Sequence, residues 1–255
     1  MPDKIKVIIA AHKPYWMPDD PLYLPVHVGA AGKDVIPGYQ RDDEGDNIST
    51  KNPHYCELTG VYWAWKNLDA DYVGLAHYRR HFRGKGPRNI LTLEEASQLF
   101  SKAPVVVPKK TDYVISTVEQ HYADTHSPEH LVAMRKAVAT VSPEYLDAYD
   151  ACMKHRSAHM LNMFIMRRDL FDAYCGWMFS VLREAEKSID YTGMTPFQAR
   201  LIGRLSELLL DVWLQKNSVS YVECPLVSME RVNWFKKGGA FLASKFLGKN
   251  YSKSF

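Results

Sequence analysis

The chain has 255 residues, 46% of them hydrophobic, 24% charged and 12% aromatic, with 14 glycines and 14 prolines. That composition excludes a disordered chain or a fibre and suffices for one large core. The net charge of +3 is unevenly placed: Arg231, Lys236, Lys237, Lys245, Lys249 and Lys253 stand at the end without an acid, so the remainder is net acidic and nucleic acid is not an expected partner.

Lys4 to Ala11 reads as a buried β-branched strand opening an α/β domain, followed by the turn-prone His12-Lys13-Pro14. No apolar run approaches the roughly 20 residues needed to cross a bilayer. No basic segment, apolar stretch and cleavage site open the chain, so a cytoplasmic location is expected. From Tyr15 to Asn52, Pro, Gly and Asp predict a long irregular loop with short strands. Asn52-Pro53 starts a helix predicted to run to about Asn67, with Tyr55, Leu58, Tyr62 and Trp65 on its core face. Tyr72 to Ala76 is a second strand, Leu93 to Lys102 a helix, and Pro104 to Val107 extended. Two helices between Ser127 and Arg156 are broken near Ser142-Pro143. A strand over Met160 to Met166 leads into a helix from Arg168 to Lys187; another helix covers Thr195 to Lys216, and Val219 to Val222 closes the series. Alternating strands and helices predict an α/β fold: one domain over 1–235 with a mixed, largely parallel sheet flanked by helices. A basic amphipathic tail follows over 236–255. Cys56, Cys152, Cys175 and Cys224 are scattered, without the Cys-x-x-Cys of a zinc or redox site.

No dinucleotide or P-loop glycine pattern occurs, and neither a nucleophile elbow nor His-Glu-x-x-His is present. Chemistry is sought where polar residues cluster. Asp42 to Asn52 packs carboxylates, amides, hydroxyls and Lys51 into one segment, either a solvated acidic loop or a grip on a sugar or nucleotide. His77-Tyr78-Arg79-Arg80-His81 stands at the carboxyl end of a strand, where open α/β sheets bind ligands. Its two arginines offer forks of donors suited to phosphate, or else pair with the acidic loop. Asp69-Ala70-Asp71 spells a cation-holding pattern of many nucleotide-sugar transferases, but it precedes the strand and falls at the opposite edge of the sheet. Glu119 to Tyr122 and His126 line another polar connection. Asn162 interrupts an apolar run and needs partners. Arg200, Arg204 and Glu207 share a helical face, forming an internal ion pair or aiming Glu207 into the crevice as a base whose pKa rises on leaving water. Trp234 to Lys249 interleaves apolar residues and lysines, as in a tail lying on anionic lipid.

These segments resemble a family of bacterial transferases of capsule, exopolysaccharide and lipopolysaccharide-type glycan synthesis, some of them galactofuranosyltransferases. The likeness rests on Ile48 to Asn52, Tyr55 to Asn67, Gly74 to Arg80, Asn162-Met163-Phe164 and Arg204 to Glu207. It implies a GT-A-like fold, a nucleotide-diphosphate sugar donor such as a UDP-sugar, and a glycan or lipid-linked acceptor. No metal ligand is assigned; a divalent cation, Mn or Mg, stays open because Asp-x-Asp is absent from the expected place. On this reading His12, Lys13, Lys51, Asn52, His77, Arg79 and Arg80 hold the donor and its diphosphate. Glu207, or else Asp46, is the catalytic base, while Glu57, His121 and Asn162 contact sugar or acceptor. A non-catalytic glycan binder on a membrane surface, or a nucleotide-sugar hydrolase or nucleotidyltransferase, are the rival readings.

Overall fold

The computed structural model describes residues 4–230; the predicted tail over 236–255 and its boundary lie outside the described residues. The strands are β1 (Ile5–Ala11), β2 (Tyr23–His27), β3 (Gln40–Arg41), β4 (Tyr72–His77), β5 (Arg80–Phe82), β6 (Val105–Pro108), β7 (Thr111–Asp112), β8 (Ser157–Ala158), β9 (Phe164–Arg167), β10 (Val222–Cys224) and β11 (Leu226–Ser228). The helices are α1 (Asn52–Tyr55), α2 (Leu58–Asn67), α3 (Leu93–Phe100), α4 (Val118–Thr125), α5 (Glu129–Val141), α6 (Leu146–Lys154), α7 (Arg168–Glu186), α8 (Pro196–Ala199), α9 (Leu201–Ser206) and α10 (Leu210–Lys216).

The main sheet runs β10-β6-β9-β4-β1-β2-β3. Strand β1 lies parallel to β2 and β4, β2 to β3, and β10 to β6. Only β9, antiparallel to both β4 and β6, is reversed along this path. The carboxyl ends of the other strands therefore share one edge with the residues that precede β9. Side chains of β1 alternate between two cores. Ile8 and Ala10 face the layer of α2, α5, α7, α9 and α10, while Ile5, Val7 and Ile9 face the layer of α3. Burial on both faces explains why this strand is an unbroken apolar run.

Several predicted elements are divided or shifted. The helix over 52–67 breaks at Cys56, whose φ of 53° ends α1 and restarts the chain as α2. The helix over 195–216 is three short pieces, with turns at Arg200 and from Glu207 to Leu209. The strand over 160–166 begins only at Phe164, because Leu161 and Asn162 take left-handed backbone with φ of 76° and 54°. The last predicted strand falls three residues later, as β10. Helix α4 stands where a polar connection is predicted, and Thr117 and Gln120 close a reciprocal capping box at its start.

At Gly74, strands β4 and β9 approach closely. A Cβ there would stand 2.6 Å from the Phe164 carbonyl oxygen and 2.9 Å from the Ile165 side chain. Gly74→Ala should push β9 from β4 and cost about 1–3 kcal/mol, the usual penalty of overpacking. Thermal or urea unfolding of the variant measures this loss, and an unchanged midpoint would show that the strands separate freely.

Candidate active site

Two strand ends build a wall of cationic and aromatic side chains at the carboxyl edge of the sheet. Strand β1 delivers exposed His12 and Lys13, and β4 delivers His77, after which Tyr78 and Arg79 turn the chain into Arg80 on β5. The Tyr78 ring lies edge-to-face with His12 at 5.4 Å and Tyr15 at 4.9 Å, with Lys13 and Arg79 within 6.0 Å of it. His12 is held below its ordinary pKa by partial burial and then by the charges of Lys13, Lys33, Arg200 and Arg79. Four cations from separate segments thus surround one imidazole at the carboxyl edge of the sheet.

The residues preceding β9 tie this wall to the helices. His77 Nε2 meets the Leu161 carbonyl oxygen at 2.7 Å. Asn162, 3% exposed, donates from Nδ2 to Glu57 Oε1 at 2.8 Å and to the Gly203 carbonyl at 2.9 Å, and its Oδ1 accepts from Ser206 Oγ. Both of its amide N–H donors and one of its two acceptor positions are used inside the protein. The left-handed backbone at Asn162 is what turns the amide toward both helices, and asparagine tolerates it better than most residues.

Glu207 follows α9 directly, and its carboxylate accepts from the Leu161 backbone N–H. The residue keeps some accessible surface, yet protein surrounds it, as at the floor of a crevice. Burial, followed by the charge of Glu57, raises its pKa to about 8, against the weaker opposing charges of Arg204 and Arg80. Arg80 and Arg204 are themselves pushed down, first by burial and then by a neighbouring arginine, Arg79 and Arg200 respectively. Arg204 does not satisfy itself internally: its guanidinium lies 4.0 Å over the Phe197 ring, and Nη2 is buried without a hydrogen-bond partner. Arg200 donates from Nε to Cys56 Sγ at 3.3 Å. Crowding arginines around one proton-holding carboxylate is costly unless an anion arrives to balance them.

His12, Lys13, His77, Arg79, Arg80, Glu57, Asn162 and Glu207 therefore gather at one edge, though not all with a free hand. Arg79 also faces Glu230, with 3.6 Å between charged atoms, a partner outside the acidic loop. That loop looks elsewhere: Asp42 accepts from the Gly29 and Ala30 N–H groups, and Asp43 pairs with Arg41. Asn162 is a buried tie between Glu57 and α9. His121 stacks on Tyr113 at 4.1 Å beside the crevice.

Three predicted residues have other occupations. Lys51 is paired at 2.7 Å with Glu186, which also accepts from the Tyr55 hydroxyl. Asn52 donates to the Cys56 carbonyl and Thr59, bracing the break between α1 and α2 under Gly29. Asp46 is bound to Asn67 and Tyr62. Its partners lie at the middle and the C-terminal end of α2, whereas Glu57 immediately precedes that helix. Lys33 and Tyr78 join the cationic wall without having been singled out for a role. Lys33 lies in a glycine-rich loop with no local signal, whereas Tyr78 sat inside the cluster already noted.

The residues at this edge do not fit a divalent cation, because lysine and arginine outnumber carboxylates where a metal would meet a diphosphate. Asp69 and Asp71 lie at the opposite edge and are tied to Lys4 through its ammonium and backbone N–H. Among the described residues, no group of three metal-binding side chains occurs.

If Glu57 holds up the pKa of Glu207, Glu57→Gln should move that pKa downward. The activity-versus-pH curve should then rise at lower pH than in the wild type, by about one unit for a loss of ~1.4 kcal/mol of repulsion. A titration of turnover from pH 6 to 10 reads this directly; an unmoved curve would disconnect the two carboxylates.

The mixed, largely parallel sheet flanked by helices, with cations at its carboxyl edge, is of the GT-A-like class, as its likeness to a solved glycosyltransferase shows. Residues 6–218 match the family described as a domain of unknown function, DUF4422; the chain belongs to that family. A solved structure titled as the bifunctional glycosyltransferase WbbM in its apo form superposes with a TM-score of 0.82 at 28% identity, covering 90% of this chain and 46% of that one. The chain thus spans less than half the length of that protein. No curated protein matches it.

Proposed function

We propose that the chain is a glycosyltransferase that moves a sugar, galactofuranose or another hexose, from a UDP-sugar to a glycan or lipid-linked oligosaccharide in bacterial surface polysaccharide synthesis. The observation that carries this reading is Glu207: a carboxylate with a pKa of about 8, set among arginines at the carboxyl edge of the sheet. The likeness to a glycosyltransferase of the same fold supports it.

The chemistry follows from charge. As an acceptor hydroxyl attacks the anomeric carbon, its oxygen forms the new glycosidic bond and its proton passes to Glu207. The bond from that carbon to the diphosphate oxygen breaks, and the electron pair leaves with the nucleotide. Negative charge grows on the diphosphate, opposite Arg80, Arg200, Arg204 and the His12–Lys13 corner, and preorganised cations there lower the barrier. A base whose pKa lies near the working pH accepts the proton most effectively. Attack from the face opposite the leaving group inverts the anomeric centre. Glu57, fixed by Asn162, faces the same space and orients sugar hydroxyls.

The test is product analysis. The chain is incubated with UDP-sugars and a panel of glycan acceptors, with and without chelator, and mass spectrometry looks for a new glycosidic bond. A transferred sugar, made equally with chelator present, is the expected outcome. Free sugar released equally without acceptor would replace transfer by hydrolysis, and binding of glycans without any turnover would leave a lectin-like protein.

A further inference from the structure

Beyond the crevice, one surface feature has no use inside the chain. Val114 and Ile115 are adjacent and 68% and 57% exposed. Single exposed apolar residues are ordinary; two β-branched neighbours at the tip of one turn are not. Val114 also takes φ of 57°, a left-handed backbone that glycine or asparagine occupies easily and valine does not. The turn is fixed from below. The Val114 N–H bonds Asp112 Oδ1 at 2.8 Å, the Tyr113 N–H bonds the Arg156 carbonyl at 2.8 Å, and Ser116 is buried. Strain and exposed apolar surface held together by a rigid base point to a role outside the monomer.

The surroundings indicate which partner. The segment continues from the carboxyl end of β6, so it stands on the same edge as the crevice, and Tyr113 beneath the tip stacks on His121. Pairing of β7 with β8 brings the 154–158 segment alongside, placing exposed Lys154, His155 and Arg156 near the turn together with exposed Lys109. The acids here are fewer: Asp112 is engaged by the turn itself, and Glu119 lies in the first turn of α4. An apolar tip inside a predominantly basic collar matches the interface of an anionic bilayer, where hydrocarbon lies just beneath negative headgroups.

We propose that the 113–116 turn docks on an anionic lipid surface, with Val114 and Ile115 entering the interface and Lys109, Lys154 and Arg156 facing the headgroups. The crevice then opens toward the membrane, where a lipid-linked acceptor would be presented. Binding to lipid does not require the transferase reading, so the test is made without turnover.

The 255-residue chain is sedimented with vesicles of phosphatidylcholine alone and with phosphatidylglycerol added. Wild type should partition onto the anionic vesicles, and 0.5 M salt should weaken that binding. Val114→Gly combined with Ile115→Ser should lower the partition coefficient at least tenfold. Because glycine relieves the left-handed strain, the same variant should melt at an equal or higher temperature, which separates lost docking from lost folding. Lys109→Gln with Lys154→Gln and Arg156→Gln should remove the preference for anionic over neutral vesicles. The proposal is overturned if wild type binds neither vesicle, if the tip variant binds as wild type does, or if the tip variant changes only self-association, which would make the turn a contact between protein copies.

Discussion

Glu207→Gln should lose about 10²–10⁴-fold in turnover, the range for removing a general base, and yet be more stable than the wild type at pH 8. The sign follows from linkage. The carboxyl has an ordinary value of 4.5 and a folded value of about 8, so between those values the native state holds a proton that the unfolded state has released. Stability therefore falls as pH rises through this window, and the loss is complete above the folded value. Glutamine has nearly the same shape and accepts the Leu161 N–H equally well, but never carries the charge. The two melting temperatures should be similar near pH 4.5 and diverge toward pH 9, with a gain of the order of a few kcal/mol. The wild-type rate should climb through about pH 8 as the base loses its proton. Parallel losses of stability and activity in the variant would make Glu207 a structural group and leave the proposed reaction without its base.

That carboxylate illustrates what could be read from the sequence. The 200, 204, 207 spacing placed three ionisable groups on one helical face, but the helix ends at Ser206, and only the break lets Glu207 reach the residues before β9. The strand-end cluster from His77 to Arg80 was legible because an apolar strand stops where charges begin, and parallel topology makes that edge a binding edge. Asp46, the second choice of base, and Lys51 also suit their expected roles in sequence. Their partners, Asn67 and Glu186, lie 21 and 135 residues away, and no local pattern encodes such contacts. The reverse holds for α4 and α8: Thr117 with Gln120, and Thr195 with Gln198, are capping boxes written in four residues. The break at Cys56 had no such signal. It depends on α9 packing Gly203 so closely that a Cβ there would touch Cys56 at 3.0 Å.

Arg80→Gln should reduce turnover about 10²–10³-fold, as loss of one charge-stabilising donor does, and should alter the pH dependence in a direction that a merely structural arginine would not. Arg80 is one of the charges that oppose the upward shift of Glu207. Without it the carboxylate holds its proton more tightly, so the rising limb of the rate profile should move to higher pH, opposite to the effect of Glu57→Gln. Burial and Arg79 already disfavour the Arg80 charge, so stability should fall far less than activity. The affinity for UDP should drop while that for uridine stays, because only the former carries the diphosphate. Arg79→Gln should do less on each measure, since Glu230 already faces that guanidinium. Arg80→Lys should recover part of the affinity but not the full rate, a point charge replacing a two-pronged donor. If Arg80→Gln left the pH profile in place and bound UDP and uridine with unaltered preference, the strand-end arginines would not be facing a leaving diphosphate, and the cationic wall would need another ligand.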